Sequence, residues 1–217
     1  MLSFTLKPAL IAIHIPKTAG STIHEILKNN YGYGLKHIHR VEDRHQWNNG
    51  LKYRCNRPFV KAVYGHIMAH KKWKEYYPDA KIITWTRDPV ERIISTYYFW
   101  KREGHHIDKR HEAFEALQPS LLEFAEMKEF QPTVRTFERS LEALSPDEYF
   151  FAGRQEYFDA DIKKVGSLLG WKNYSYEKRN VNSLKPEINP KEKQHLKELL
   201  KGEYKIYNDI LAHAGSK

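Results

Sequence analysis

The sequence predicts an α/β fold with a mostly parallel central sheet and helices on both faces. Two observations predict it. Short β-biased apolar runs alternate with segments of helical period, and residues suited to ligands follow the ends of those runs, where open α/β sheets bind. That alternation favours parallel pairing through right-handed crossovers. At 217 residues the chain can bury one substantial core, so residues 1–217 read as a single domain.

Composition narrows the class of partner. Hydrophobic residues make up 41% and charged residues 29% of the chain, near the values of soluble globular proteins and unlike disordered ones. The 36 basic against 27 acidic residues, a formal +9, favour an anionic partner by field and steering. The basic residues are spread along the chain and no nucleic-acid module is recognisable, which argues against nucleic acid. Cys55 is the only cysteine, which excludes an intrachain disulfide or thiolate cluster and fits a reducing compartment. No stretch approaches the ~18 apolar residues that span a bilayer. Lys7 and Pro8 interrupt the first apolar run, and no small-residue cleavage site follows. The expectation is a soluble, cytoplasmic protein.

The stretch Leu10–Leu27, LIAIHIPKTAGSTIHEIL, organises the rest. Ile11, Ala12, Ile13 and Ile15 form a β-biased run around His14, Pro16 ends it, and Ile23, Ile26 and Leu27 fall at helical spacing. The reading is strand, tight turn and helix, the helix running from about Ser21 to Lys28 and stopping at Asn29-Asn30 with Gly32 and Gly34. Within Lys17-Thr18-Ala19-Gly20-Ser21-Thr22, small residues let backbone N–H groups approach a ligand. Ser21 and Thr22 place hydroxyls where a helix start points unpaired donors, and Lys17 adds a charge. The combination suits phosphate or sulfate. It is not the G-x-x-x-x-G-K-[ST] loop, because Lys17 precedes the single glycine of the turn.

Tyr33–Arg57 is polar, rich in His, Arg and Asn and without clean period, and reads as loop. His37, His39 and His45 raise a metal site, but no pair spaced i, i+4 with a carboxylate supports one, and no metal is expected. Phe59–Tyr64 is a second strand ending in Gly65-His66, which sets His66 at the carboxyl edge of the sheet. Residue type leaves a catalytic base and a hydrogen-bonded structural histidine both open.

His70–Tyr77 reads as a short basic helix, and Lys81–Thr86 as a buried strand followed by Arg87-Asp88-Pro89-Val90-Glu91. Asp88 is an N-cap, Pro89 the first helical residue and Glu91 the third, a capping-box pattern. The helix carries Val90, Ile93, Ile94, Tyr97 and Tyr98 on one face, with Ser95 about two turns beyond the cap. A solvated helix-face charge is one reading open to Arg92 and Arg102, and the favoured one for Arg102. From Gly104 to Glu148 the text is helical, with Ser120 and Glu123 as another capping pair. Its neighbourhood carries Lys101, Arg102, Lys109, Arg110 and Arg135, which either face an acidic ligand or form a solvated face. Tyr149–Gly153 is the next strand, followed by Arg154-Gln155-Glu156 and by an amphipathic helix over Asp159–Leu169 that ends at Gly170. Lys178–Ser183 is a polar loop, Asn189-Pro190 starts a helix through Leu200, and a last helix follows Gly202 to about Ala214.

Two of these stretches, P-K-T-A-G-S-T at 16–22 and R-D-P-V-E-R-I-I-S-T-Y-Y at 87–98, resemble the sulfotransferases that use 3′-phosphoadenosine 5′-phosphosulfate (PAPS). The resemblance is to the carbohydrate, heparan 2-O-sulfotransferase-like branch, with I-P-K-T-x-G-[ST]-[ST] and R-D-P-x-x-R-x-x-S-x-Y elements. It implies a P-loop-like three-layer α/β fold. It makes the first stretch a 5′-phosphosulfate loop, with Lys17, Thr18, Ala19, Gly20, Ser21 and Thr22 on the cofactor, and gives Arg87 and Ser95 to the 3′-phosphate. Gly65-His66 matches the family's G-H after the second strand, which implies His66 as the catalytic base beside a catalytic Lys17. The polar loop matches a segment that often closes over the nucleotide, and so assigns Arg179 and Asn182 to the cofactor. Cofactor motifs then occupy residues 10–103, and residues 104–148 form an acceptor-side helical insertion. The likeness is weakest across Tyr33–Arg57 and Gly104–Glu148. Golgi members of the branch are membrane-anchored, and this chain reads as a soluble relative.

The implied reaction is in-line transfer of the sulfuryl group from PAPS to an acceptor hydroxyl, leaving adenosine 3′,5′-bisphosphate (PAP), with no metal required. The acceptor is a small molecule or, by analogy, a glycan, and the net positive charge makes an acidic saccharide reasonable. Two rivals are consistent with the residues. A P-loop-like small-molecule kinase would use Lys17 but needs Mg²⁺ and an acidic holder, and Asp88 is engaged as a cap. A non-catalytic module for anionic ligands would keep both anion sites and dispense with His66.

Overall fold

The computed structural model describes residues 4–5, 7–51, 54–55, 59–102, 109–176 and 187–214. Strands β1 (Phe4–Thr5) and β4 (Arg54–Cys55) pair antiparallel as a separate ribbon. The central sheet holds β2 (Leu10–Ile13), β3 (Leu35–Ile38), β5 (Ala62–Gly65), β6 (Lys81–Thr86) and β7 (Phe151–Arg154). Its order is β3-β5-β2-β6-β7, and every pairing is parallel. The four residues of β2 are all buried, as are those of β5, the pattern of strands covered on both faces. The chain leaves β2 for β3 on one side of it and later crosses from β5 to β6 on the other, so the switch point of the topology lies beside β2, where such sheets bind ligands.

Helices α1 (Gly20–Tyr31) and α9 (Phe158–Leu169) lie over one face, where Ile23, Ile26 and Val165 meet Leu10, Ala12, Tyr64 and Trp85. The other face buries Ile11, Ile13 and Val63 against Trp47 of α2 (Val41–Asn48), Trp73 of α3 (Trp73–Tyr76), Phe137 of α8 (Thr136–Leu141) and Ile210 of α11 (Lys201–His213). A third cluster joins α4 (Pro89–Arg102), α5 (Lys109–Leu117), α6 (Leu121–Glu126), α7 (Gln131–Val134) and α10 (Pro190–Leu199). This is the α/β layering expected, with helices on both faces of a parallel sheet.

Several expectations need correction. Tyr33–Arg57 is not loop: it supplies the edge strand β3 and helix α2. Helix α1 runs on through Asn29 and Asn30 to Gly32, whose φ of 50° stops it. Asn30 stays helical and bonds outward, its amide donating to the Asn173 carbonyl at 2.6 Å and its oxygen accepting from Lys172 N at 3.0 Å. Gly202 does not break the last helices; it lies inside α11, where a Cβ would come within 2.5 Å of Glu138 Oε1. It makes room for a neighbour rather than a turn.

Arg92 is not solvated. It is fully buried and donates to the carbonyls of Thr133 at 3.2 Å and of Val134, to Thr136 Oγ1 at 3.3 Å and to Glu203 Oε2 at 3.4 Å. Glu203 accepts in turn from the amides of Phe137 and Glu138, both at 2.9 Å. Burial pushes the Glu203 carboxyl up, while Arg92 and the two amides oppose the shift. Such donors are what allow a charge pair to remain in a core.

Candidate active site

The site begins where β2 and β5 end. Their register sets Ile13 opposite Gly65, so the next residues, His14 and His66, leave the sheet side by side. The following turn is backbone-strained: Lys17 has φ 68° and Ala19 φ 64°, left-handed values that cost an L-residue of order 1–2 kcal/mol. Thr18 fixes the turn from within, its Oγ1 donating to the Ile15 carbonyl at 2.8 Å. Its hydroxyl therefore shapes the loop. Gly20 starts α1, Ser21 is exposed and Thr22 is buried. First-turn amides of a helix have no intrahelical acceptor, and α1 has no side-chain cap. Lys17 Nζ lies 3.7 Å above the Phe99 ring.

The β6 end is brought to the same place. Arg87 Nη1 donates to the Lys17 carbonyl at 3.4 Å, while Nη2 lies 3.8 Å from Glu91 Oε2. Burial lowers the Arg87 pKa against the pull of Glu91, Glu156 and Asp88. Asp88 caps α4 as expected, Oδ1 accepting from Glu91 N at 3.0 Å. The reciprocal half of the box is absent: Asp88 N donates to Glu156 Oε1 at 2.9 Å, and Glu91 pairs with Lys193 at 3.3 Å.

A cavity of about 650 Å³ opens between these strand ends and the helices α2, α4 and α8. His66 and Lys17 line it, as do His14, Phe99, Thr96 and Arg110. His66 Nδ1 lies 3.1 Å from the His14 carbonyl. A carbonyl only accepts, so Nδ1 carries the proton and the neutral ring presents Nε2 as an acceptor. Burial holds the His66 pKa below the ordinary histidine value, and Arg44 and Arg139 add to this while the bond to His14 opposes it. His66 is thus neutral near pH 7, the state a base requires.

Lys17 and His66 share one cavity wall, and Arg87 reaches the loop that carries Lys17. Thr22 and Ser95 are both buried, and neither lines the cavity; Thr96, the next residue of α4, does. Arg179 and Asn182 lie outside the described residues. Of the basic residues in and beside the insertion, Arg110 faces the cavity, whereas Arg135 pairs with Glu138 at 3.5 Å. Arg44 of α2 and Arg139 of α8 also line it and were not foreseen, because only the tertiary fold brings them to His66. His14 was missed for another reason: its place two residues before Pro16 was visible, but its step beyond the strand end required the register.

Among the described residues, no group of three or more His, Cys, Asp or Glu side chains could hold a metal ion. His37 instead packs on His24, with ring centroids 4.4 Å apart, and His45 lines the cavity. No described helix is long and apolar enough to cross a membrane.

Among curated proteins none matches this sequence. The crystal structure of a sulfotransferase from Alicyclobacillus acidocaldarius is similar over 96% of this chain and 97% of that one, with TM-score 0.55 and 14% identity. Mouse sulfotransferase SULT7A1, solved in complex with PAP, is similar over 98% of this chain and 90% of that one, with TM-score 0.54 and 11% identity. These likenesses support the P-loop-like α/β fold that the sheet order shows. The model of the Sulfotransferase family matches residues 4–208, and the chain accordingly belongs to that family and is an enzyme of sulfuryl transfer.

Proposed function

We propose that the enzyme transfers the sulfuryl group of PAPS in line to a carbohydrate hydroxyl, with His66 as general base. The observation that carries this reading is that His66, with Nε2 free to accept, and Lys17 wall the same cavity. PAPS suits the donor loop, since Pro16–Thr22 offers a cation, the exposed hydroxyl of Ser21 and helix-start amides, and holds no carboxylate. When bound, PAPS supplies an activated sulfuryl group and a phosphate leaving group.

Lys17 and the amides of Gly20, Ser21 and Thr22 meet negative charge on the donor side. Ala19, left-handed at φ 64°, makes the turn that leads into those amides. Arg87 offers a fork for the cofactor's second phosphate, with Ser95, Arg179 and Asn182 assigned there by the resemblance. His66 Nε2 takes the proton of the acceptor hydroxyl. Arg44, Arg110 and Arg139 line the acceptor space, which supports an anionic saccharide and the heparan 2-O-like branch. Cys55 as a lone cysteine agrees with a cytoplasmic setting.

A thermal-shift titration with PAP beside ATP–Mg²⁺ tests the donor. Selective stabilisation by PAP, ~2.7 kcal/mol at a hundredfold excess over Kd, is expected, and at the same PAP concentration it should drop to ~0.4–1.4 kcal/mol in Lys17→Ala and shrink likewise in Arg87→Ala. Preference for ATP–Mg²⁺ would replace the sulfuryl donor with a phosphoryl one. His66→Ala should lower turnover ~10²–10⁴-fold with PAP affinity kept. Because the His66 pKa is lowered from 6.5, the acid limb of kcat/KM should lie below pH 6.5; a limb above it would remove His66 as the base.

A further inference from the structure

We infer that His14 is the positioning residue of this site: its ring clamps the His66 imidazole against the cavity wall and ties it to the donor loop. The inference rests on the reading of His66 as base. The two rings lie face to face, with centroids 4.1 Å apart and planes 24° apart. His14 also stacks on Tyr64, at 5.2 Å and 17°, so its ring has two ring neighbours. Its backbone is pinned as well, His14 N donating to the Gly65 carbonyl at 2.8 Å.

The edge of the ring occupies the start of α1. A Cβ on Gly20 would fall 1.6 Å from His14 Nε2, a distance no side chain can adopt. Gly20 is not among the residues with positive φ. Its glycine is thus required for room rather than for backbone conformation, and the occupant of that room is His14. Tyr64 closes the arrangement, its hydroxyl donating to the Gly20 carbonyl at 2.6 Å. One imidazole therefore spans from the donor loop to the base. Sliding His66 along the cavity would require moving a ring wedged between Tyr64 and Gly20.

The electrostatics agree with a neutral stack. Burial holds the His14 pKa well below its ordinary value, and His66, His37, His24 and Lys17 all act in the same direction. Arg44 and Arg139 act likewise on His66. Two neutral rings can lie in contact where two imidazolium rings would repel.

The test is kinetic, on His14→Ala, His66→Ala and the double variant, with PAP binding and thermal melting measured on each. His14→Ala should lower kcat ~10–10²-fold, the scale of a misplaced catalytic group, with PAP affinity unchanged. It should also move the acid limb of the pH profile upward, because removing the stacked ring lessens the desolvation that lowers the His66 pKa. In the His66→Ala background it should cost nothing further. His14→Phe, which retains a ring, should recover most of the loss. Gly20→Ala should lower the melting temperature of the wild-type enzyme more than that of His14→Ala, because the clash of its Cβ is with the His14 ring. An equal loss in both His66 backgrounds, or a matching loss of PAP affinity, would overturn the positioning role while leaving the base intact. Full activity in His66→Ala would instead overturn the base reading. Should His14→Ala melt early, His14→Gln carries the same comparisons.

Discussion

After β2 the chain turns through Lys17 and Ala19, both left-handed without being glycine, and enters α1 with no side-chain cap. After β6 it turns through Asp88, whose Oδ1 caps α4 and whose Oδ2 accepts from the Tyr204 hydroxyl at 2.8 Å. The two turns stand at the same sheet edge and lead into helices of similar length, 12 and 14 residues. One leaves helix-start donors for a ligand and holds strain to do so. The other satisfies its donors within the protein and anchors its helix by a buried arginine. Binding should therefore rest on the first turn together with Arg87, and stability on Asp88 and Arg92.

The largest expected effect belongs to the anchored turn. Glu203→Ala strands Arg92 in the core and should cost about 3–5 kcal/mol of unfolding free energy, read by urea denaturation; a loss under 1 kcal/mol would mean that the backbone carbonyls alone hold Arg92. Lys17→Ala should do the converse. PAP affinity should fall ~10–10²-fold, as for a lost charge-assisted bond of ~1.5–3 kcal/mol, while the melting temperature stays put. A large stability loss there would erase the contrast. Asp88→Ala removes a cap worth ~0.5–2 kcal/mol, and calorimetry should show destabilisation with weaker change in PAP binding than in Lys17→Ala. Smallest is Ala19→Gly, which relieves a left-handed residue. It should stabilise by at most ~1 kcal/mol and weaken PAP binding, because the turn is no longer preset.

Both turns were legible because they are local. Pro16, Lys17 and the small residues, or Asp88 with Pro89, specify their own backbone within one turn of helix. Strand β3 was not legible: Leu35–Ile38 is four residues long, with Lys36 and His37 between its buried ends, and only pairing with β5 defines it. Helix α2 buries Trp47 alone, so no apolar stripe marks it. Arg92 shows a third kind of failure, since a charge at helical spacing reads as solvated until Thr133, Val134 and Glu203 arrive from distant elements. The candidate site divides the same way. Lys17, Arg87 and His66 follow strand ends and could be found, whereas Arg44, Arg139 and Phe99 converge through tertiary packing.

The stacked histidines also bear on how the fold responds to acid. His14, His24, His37 and His66 all have pKa values lowered from 6.5, His37 to about 4. Below pH 6.5 the unfolded chain takes up protons at these positions that the native one refuses. The proton difference makes unfolding more favourable with each step downward, fading for His37 only near pH 4. Conformational stability should thus decline as pH falls through that window, and a His37→Asn variant should decline less steeply. The same packing that keeps a base ready at neutral pH makes the enzyme less stable in acid.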